Sequence, residues 1–486
     1  MSSQSVGHFA LLPLYAAAGT AILALLADLF TGRRAAITGV TLLGTLATAI
    51  CAILAASAEP TFCATGGCSW IPTGAAATTA VLFAGLTAGV LAFALPALRL
   101  GVAPAGEFCF LLACSMTGGV TVAYAGDLIT LIVGLETLTL PLYVLVGLRR
   151  FAPSERVTSE PAAASLTFFL ISVVSTAIAL LGVALNYVAT GVVHLASLGP
   201  AQAAVFAPLA GVGAALLVIG LAFKVAAVPL HAWAPATYDG APVPVAAYLS
   251  TASKLGGILA LVTVASRLDT RAVVTILAIL TMTIGNLVAL RQTRMVRLLA
   301  WSSVAQAGYI LAALAIGAPG AVAALAYAGF FVVLELVAFG VVVALRPQGA
   351  DGGTLADFRG AGRRSPWLGA SLVLAFAGLA GLPPGLAGLF AKLSVVDALI
   401  DANWTWLAGV VVLNAVIALA YYVRVSAALY TLPPRVGFSV ADPVLLDEAI
   451  HPHLPVPRPV AIAVAAAVTA AVALGFAPQL LFNALT

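Results

Sequence analysis

Charge is the scarcest property of this sequence. Only 8% of its 486 residues are charged, whereas 63% are hydrophobic, and the mean hydropathy is +1.14. Because about a quarter of the residues in a soluble domain are charged, this composition excludes a soluble globular protein. Apolar runs of about 20 residues, the length that crosses a bilayer, take the place of the missing charges. We therefore predict an all-α polytopic membrane protein whose surroundings are lipid and not nucleic acid.

Motifs for metals, clusters and nucleotides are also missing. The five cysteines show no CxxC pair or Cys/His cluster with zinc or iron–sulfur spacing. No Walker motif occurs, and no GxGxxG follows a strand. We therefore predict no cofactor and no metal in this chain. Cys63 and Cys68 lie in a predicted loop, where the sequence allows either a disulfide or two free thiols.

Apolar segments predict about fourteen membrane-spanning helices. They lie at about 9–30, 36–58, 76–98, 104–124, 126–148, 162–187, 203–228, 243–266, 272–290, 297–317, 319–345, 367–400, 404–431 and 458–484. Proline breaks the helix near Pro229 and again within GLPPGLAG, from Gly381 to Gly388. We expect a short hydrated segment after Pro229.

The two breaks are five spans apart, and an odd shift gives two copies of opposite orientation, as in many transporters. We therefore predict two inverted five-helix repeats with broken helices, at 104–266 and 267–431. Three helices at 1–103 precede them, and a cytoplasmic loop and the last helix, at 432–486, follow them. Of the 18 arginines, 16 lie in loops or helix ends that are cytoplasmic if the N-terminus is outside, against Arg267 and Arg271 on the other side. This asymmetry predicts an outside N-terminus.

Glu136 and all three lysines of the chain, Lys224, Lys254 and Lys392, lie within apolar spans. Charges inside a membrane are costly and commonly mark ion paths. Burial favours the neutral forms of glutamate and lysine, whereas an ion pair favours the charged forms. A pair that opens and closes therefore has two protonation states of similar energy, which is what stepwise proton transfer needs. A static ion pair for Glu136, and snorkelling of the lysines to an interface, are the structural alternatives.

Three further residues are possible relays. His231 lies at the first break and titrates near neutral pH, but it could also be an ordinary hydrogen-bonded loop histidine. Asp397 lies five residues after Lys392, either near an exit or as an interfacial charge. Glu335, in VVLELVAFG, lies in mid-span, and we predict that it points into the protein and away from lipid.

The motifs around these residues resemble one family, the antiporter-like membrane subunits of proton-pumping NADH–quinone oxidoreductase (respiratory complex I). The similar stretches are GLETLTLPLYVL, FKVAAVPLHAWAPATYDGAPVPVAAYLSTASK, GNLVALRQTRMVRLLAWSSVAQAGYIL, LAGLPPGLAGLFAK and LNAVIALAYYVRVSAALY. STASK is closest to the subunit N branch. Two positions depart from the family pattern: Thr167 stands where a lysine is usual, and Glu335 stands where an asparagine is usual.

The resemblance implies a function for the buried charges. Glu136, Lys224, Lys254 and Lys392 would carry protons across a bacterial inner membrane, next to other membrane-arm subunits. NADH, FMN, iron–sulfur clusters and quinone would belong to the whole complex and not to this chain. A subunit of a multisubunit cation/proton antiporter is the alternative. A paralogue that serves only as a structural spacer is a second alternative, and Thr167 favours it.

Overall fold

Long apolar helices dominate the fold, as the sequence predicts. The computed structural model describes residues 6–64, 66–148, 155–199, 206–347, 350–431 and 455–485. Within these ranges, twelve helices are long and apolar enough to cross a membrane. The predicted spans at 297–317 and 367–400 are helical too, but the first is less apolar and the second is divided. The all-α polytopic class is confirmed, and the count of fourteen depends on including these two.

The N-terminal part contains three helices and a small hairpin. The helices are α1 (Leu12–Thr31), α2 (Arg34–Leu54) and α3 (Gly74–Leu100). Between α2 and α3, strands β1 (Thr61–Ala64) and β2 (Gly67–Trp70) pair antiparallel, with Cys63 opposite Cys68. These two cysteines form a disulfide, which decides between the two alternatives that the sequence allows. Trp70 fixes the hairpin to the bundle, because its ring stacks on Tyr124 at 4.7 Å.

The next four helices lead to the first break. They are α4 (Ala105–Tyr124), α5 (Leu128–Gly147), α6 (Glu155–Thr190) and α7 (Ala207–Lys224). Asp127 caps α5, since its carboxylate accepts a hydrogen bond from the Thr130 backbone N–H at 2.7 Å. Helices α4 and α5 pack closely, as do α6 and α7. The helix ends at Lys224 itself and not at Pro229, so the lysine lies at the edge of the break.

The predicted hydrated segment after Pro229 is wrong. It contains helix α8 (Trp233–Gly240), in which Trp233 and Tyr238 are 1% and 0% exposed. The Trp233 ring stacks on Phe168 of α6 at 4.5 Å, so aromatic packing removes the segment from water. The chain then forms α9 (Val243–Tyr248), a π turn (Leu249–Ser253) and α10 (Lys254–Ala265). The sequence analysis did not foresee this π turn, although such turns are common at functional sites.

The second half surrounds one central helix. Its helices are α11 (Arg271–Ala289), α12 (Met295–Leu314), α13 (Ala321–Leu345), α14 (Ala361–Arg364), α15 (Pro366–Ala380), α16 (Leu386–Asp401), α17 (Thr405–Tyr430), α18 (Arg458–Phe476) and α19 (Gln479–Leu485). Helix α13 contacts α3, α9, α10, α12, α15, α16 and α18, and most of its residues are buried. Any charged side chain on α13 is therefore enclosed by protein.

Some sequence predictions concern residues outside these ranges. Arg149, Arg150 and Arg435, three of the arginines used for orientation, are among them, as is most of the predicted cytoplasmic loop, at 432–454. The second predicted break is confirmed, because α15 ends at Ala380 and α16 begins at Leu386. The boundaries of the two repeats stay predictions.

Candidate functional site

Glu136 and Lys224 form a buried ion pair between α5 and α7. The lysine Nζ donates to Glu136 Oε1 at 2.7 Å, and the two side chains are 26% and 5% exposed. Nζ also donates to Thr139 Oγ1 at 3.2 Å and to Ser172 Oγ at 3.0 Å. All three protons of the ammonium group therefore have acceptors, so the charged lysine is tolerated at the end of α7.

Hydroxyl groups of α6 complete this first cluster. The Thr176 hydroxyl donates to Glu136 Oε1 at 2.6 Å, and Ser172 accepts a hydrogen bond from Tyr143. Thr167, which stands in the place of the usual family lysine, is exposed on α6. Uncharged side chains of α6 thus solvate the pair. The stretch that holds Ser172 and Thr176, ISVVST at 171–176, contains no charge to signal this role, and the sequence analysis missed it.

Lys254 and Glu335 belong to a second cluster, joined by serines. The Lys254 Nζ donates to the Ser303 backbone oxygen at 2.8 Å and to Ser303 Oγ at 2.5 Å. The Ser250 hydroxyl lies 3.2 Å from both Ser303 Oγ and Glu335 Oε2. The order along the cluster is therefore Lys254, Ser303, Ser250 and Glu335, contributed by α10, α12, the π turn and α13. The π turn brings Ser250 into this line.

Glu335 points into the protein, as predicted, since its side chain is 0% exposed. Its nearest hydrogen-bond partner is Ser250 and not a group near Lys392, although α13 packs against both α15 and α16. The acid and Lys254 have serines between them and no direct ion pair in the described part of the chain. A proton that moves between them has to pass through hydroxyl groups or water.

Lys392 lies at the second break and caps α15. Its Nζ donates to the Leu379 and Ala380 backbone oxygens at 2.9 and 2.7 Å, and it lies 4.7 Å from the centre of the Tyr309 ring. These carbonyls have no partner within α15, and a cation is favoured at a helix C-terminus. Gly381 follows with φ +83°, and a Cβ there would lie 2.6 Å from the Lys392 stem. Only glycine gives both that conformation and that space.

A polar cluster surrounds the carbonyls that hold Lys392. Gln306 Nε2 donates to the Leu379 oxygen at 2.9 Å and to Tyr422 OH at 3.1 Å. Tyr327 donates to Gln306 Oε1 at 2.5 Å, and Ser302 is hydrogen-bonded to Tyr422. Ser302 immediately precedes Ser303 on α12. These adjacent residues therefore belong to different clusters: Ser302 to this third cluster around Lys392, and Ser303 to the second.

The three lysines thus occupy three separate hydrogen-bonded clusters in the described ranges. Helix α10 packs against the first cluster at Gly257, where a Cβ would lie 2.9 Å from the Lys224 Cβ. Glycine at this position lets the helix that carries Lys254 pack directly on Lys224. The clusters are neighbours, but side-chain hydrogen bonds do not join them into one chain among these residues.

The two remaining relay candidates have different surroundings. His231 is half-buried between α7 and α8, and its ring lies 5.0 Å from that of Trp301 on α12. The buried His231 Nδ1 has no hydrogen-bond partner in the ranges that the structure describes. Asp397 is exposed on α16, whereas Lys392 on the same helix is buried. The structure therefore brings His231 next to the core and leaves Asp397 on the outer surface.

An ion-pair network lies at the ends of α8, α12 and α13. Arg294 contacts Asp239 at 2.7 Å and Asp351 at 3.0 Å. Arg346 contacts Asp351 at 3.1 Å and Asp357 at 3.2 Å. Partial burial raises the pKa of Asp351, but Arg294 and Arg346 lower it more, so the pKa lies below its usual range. This network fixes the C-terminal end of α8 to two loops that are distant in sequence.

Comparisons with known proteins give consistent results. Residues 125–418 match the family model described as NADH:quinone oxidoreductase/Mrp antiporter, TM. The chain is 54% identical to NADH-quinone oxidoreductase subunit N of Salinispora tropica, over 99% of this chain and 98% of that protein. These matches cover the helices that contain all three clusters.

Solved structures share the fold. A chain of respiratory complex I from Thermus thermophilus, solved with bound aureothin, is 28% identical and superposes with a TM-score of 0.79, covering 98% of this chain and 99% of that one. A chain of the Mrp complex from Dietzia sp. superposes with a TM-score of 0.78 at 22% identity, covering 99% and 96%. The second likeness concerns the fold alone.

Proposed function

Because this chain belongs to the NADH:quinone oxidoreductase/Mrp antiporter membrane family, in its subunit N branch, we propose that its buried lysines and glutamates move protons across the membrane. As a member of that branch, the chain is a multi-pass membrane component of a proton-translocating NADH:quinone oxidoreductase, and other membrane subunits of the complex are its partners. The proposal concerns the route and the residues within this chain.

The observation that carries the proposal is that every lysine of the chain is buried in a polar cluster. Lys224, Lys254 and Lys392 are 5%, 1% and 7% exposed, and each donates to at least two oxygen atoms. Structural support for a membrane helix does not require buried lysines, and their burial is costly. Titratable amines that are solvated by hydroxyls and carbonyls have the chemistry needed to hold and release protons.

The clusters differ in what opposes the charge of the lysine. A carboxylate contacts Lys224 directly, and serines separate Lys254 from its carboxylate. Backbone carbonyls and the face of the Tyr309 ring hold Lys392. A change in one cluster alters the electrostatic field at the next, because charges in a low-dielectric interior interact strongly. We infer that protons pass stepwise between clusters, and that the gaps close through water or a change in conformation.

Electron transfer belongs to the rest of the complex in this proposal. NADH, FMN, the iron–sulfur clusters and quinone are handled by other subunits. In this chain, no group of three or more His, Cys, Asp or Glu side chains among the described residues could hold a metal ion. The membrane is the bacterial inner membrane, and the N-terminus faces outside, as the arginine distribution indicates.

The two alternatives make different predictions. A cation/proton antiporter subunit has the same fold, but the 54% identity over the full length favours the oxidoreductase branch. A spacer that no longer pumps would tolerate loss of its buried charges. The hydroxyls of Ser172 and Thr176 around the first ion pair favour a working path, although Thr167 has replaced the usual lysine.

Replacement of Lys254 tests the proposal. Lys254→Met keeps the volume and removes the charge, and we expect proton pumping by inverted membrane vesicles to fall several-fold while the complex still assembles. Arg271→Met is the matched control, since Arg271 is 57% exposed and pairs with Asp269, which is also exposed. Wild-type pumping by fully assembled Lys254→Met complex would overturn the proposed path.

A further inference from the structure

Two buried polar atoms next to the second cluster have no hydrogen-bond partner in the described part of the chain. They are the Glu335 Oε1 and the hydroxyl of Tyr238. The other Glu335 oxygen accepts from Ser250 at 3.2 Å, so the carboxyl group is satisfied on one side only. Buried polar groups are rarely left unpaired, because each one costs free energy. A hydroxyl donor and a carboxyl acceptor therefore lie in the same region, both unsatisfied.

Helix packing places Tyr238 on the face of α13 that carries Glu335. The Tyr238 ring meets the ring of Phe339 edge-on, with centroids 6.4 Å apart. Phe339 follows Glu335 by four residues, so both side chains project from the same face of the helix. The Tyr238 hydroxyl lies near Ser250 and Ser303, outside hydrogen-bond geometry with either. Those serines are the two that connect Glu335 to Lys254.

The position of Tyr238 is fixed from both sides. Its ring packs against Trp233, one and a half turns earlier in α8, with centroids 6.2 Å apart. The next residue, Asp239, forms the ion pair with Arg294 at 2.7 Å, which holds the C-terminal end of α8. The ring is 0% exposed, so protein surrounds it on all sides. The hydroxyl is therefore directed at the second cluster by the fold itself.

On the basis of the proton-transfer function above, we propose that Tyr238 is a positioning residue for Glu335. In this proposal its hydroxyl donates a hydrogen bond to Oε1, directly or through one water molecule. This bond complements the one from Ser250 to Oε2 and keeps the carboxyl group aligned with the line to Lys254. The tyrosine retains its own proton, so it orients the acid and does not carry the proton itself.

Tyr238→Phe tests the proposal, because it removes only the hydroxyl. Tyr124→Phe is the matched control. Tyr124 is also buried, and its hydroxyl has no hydrogen-bond partner among the described residues, but its ring stacks on Trp70 and not on the second cluster. Two quantities are measured on assembled complex: protons pumped per NADH oxidised by inverted vesicles, and the infrared C=O stretch of the protonated carboxyl, assigned with Glu335→Gln.

We expect Tyr238→Phe to lower pumping at least about threefold and to shift the Glu335 band to higher wavenumber, since a carbonyl that loses a hydrogen bond stretches at higher frequency. Tyr124→Phe should change neither quantity. An unmoved band, with or without a loss of pumping, would overturn the positioning role. If Tyr238→Phe does not assemble, 3-fluorotyrosine at position 238 is used instead, because it keeps the ring and makes the hydroxyl a stronger donor. It should shift the Glu335 band to lower wavenumber, and an unmoved band would again overturn the positioning role.

The same experiment separates this inference from the proposed function. Normal pumping by Glu335→Gln would show that Glu335 is not part of the proton path. That result would also refute the positioning role of Tyr238. Impaired pumping by Glu335→Gln, together with wild-type pumping and an unshifted band in Tyr238→Phe, would overturn the role of Tyr238 alone.

Discussion

Neutralising Glu136 should disable the first cluster while leaving its shape intact. Glu136→Gln keeps the size of the side chain, and the amide oxygen can still accept the hydrogen bonds from Thr176 and Lys224 that now reach Oε1 at 2.6 and 2.7 Å. The variant therefore removes the negative charge and little else. Its effect on pumping reports how much the charged form of Lys224 is stabilised by the Glu136 carboxylate.

The magnitude follows from Coulomb's law. At 2.7 Å and an effective dielectric constant of about 20, two unit charges attract by about 6 kcal/mol. Because Glu136 is 26% exposed, solvent screens the pair, and we take roughly half of this energy, or about 3 kcal/mol. At about 1.4 kcal/mol for each factor of ten, losing this attraction in Glu136→Gln should lower the ratio of charged to neutral Lys224 by about a hundredfold. A step that alternates between these forms would slow markedly.

Inverted vesicles that contain the assembled variant provide the assay. NADH oxidation reports electron transfer, and quenching of a pH-sensitive dye reports pumping. We expect pumping to fall at least about fivefold, well within the hundredfold shift in the ratio of the two lysine forms. Glu107→Gln, which neutralises an exposed acid in the first turn of α4, should pump normally. Pumping at the wild-type rate by Glu136→Gln would show that the pair is a static structural contact, the alternative that the sequence leaves open.

Four other predictions follow from the structure and from the arginine distribution. Lys224→Arg keeps the charge but cannot release its proton, so pumping should be impaired; full pumping would exclude titration at this position. Lys392→Ala should lower pumping while the complex still assembles, as native gels would show, and loss of the complex would indicate a mainly structural role for the cap of α15. A topology reporter within 58–75 should lie outside and one within 346–366 in the cytoplasm, and reversed labelling would refute the orientation. Asp351 has a lowered pKa, so its contribution to stability is complete above the unfolded-state pKa and is lost as the pH falls through the lower folded-state pKa. The difference in melting temperature between wild type and Asp351→Asn should therefore shrink on acidification. A difference that stays constant with pH would contradict the ion-pair account.

Much of this protein is determined by local properties of its sequence. Apolar runs give the spans, because a helix must satisfy its own backbone hydrogen bonds in lipid. Prolines give the two breaks, and buried charges single out Glu136, Lys224, Lys254, Lys392 and Glu335, because such residues are too costly in lipid to be accidental. Each of these signals lies within a few consecutive residues, so it can be read without knowing the fold.

Only the tertiary structure decides which groups these charges meet. Lys254 contacts Ser303, 49 residues later, and Glu335 contacts Ser250, 85 residues earlier, so neither partner has a local signal. The composition of the segment after Pro229 suggests a hydrated loop, yet α8 is buried because the Trp233 ring stacks on the Phe168 ring of α6. Side-chain partners depend on which helix faces meet, and that is settled by packing across the whole bundle rather than by any one stretch of sequence.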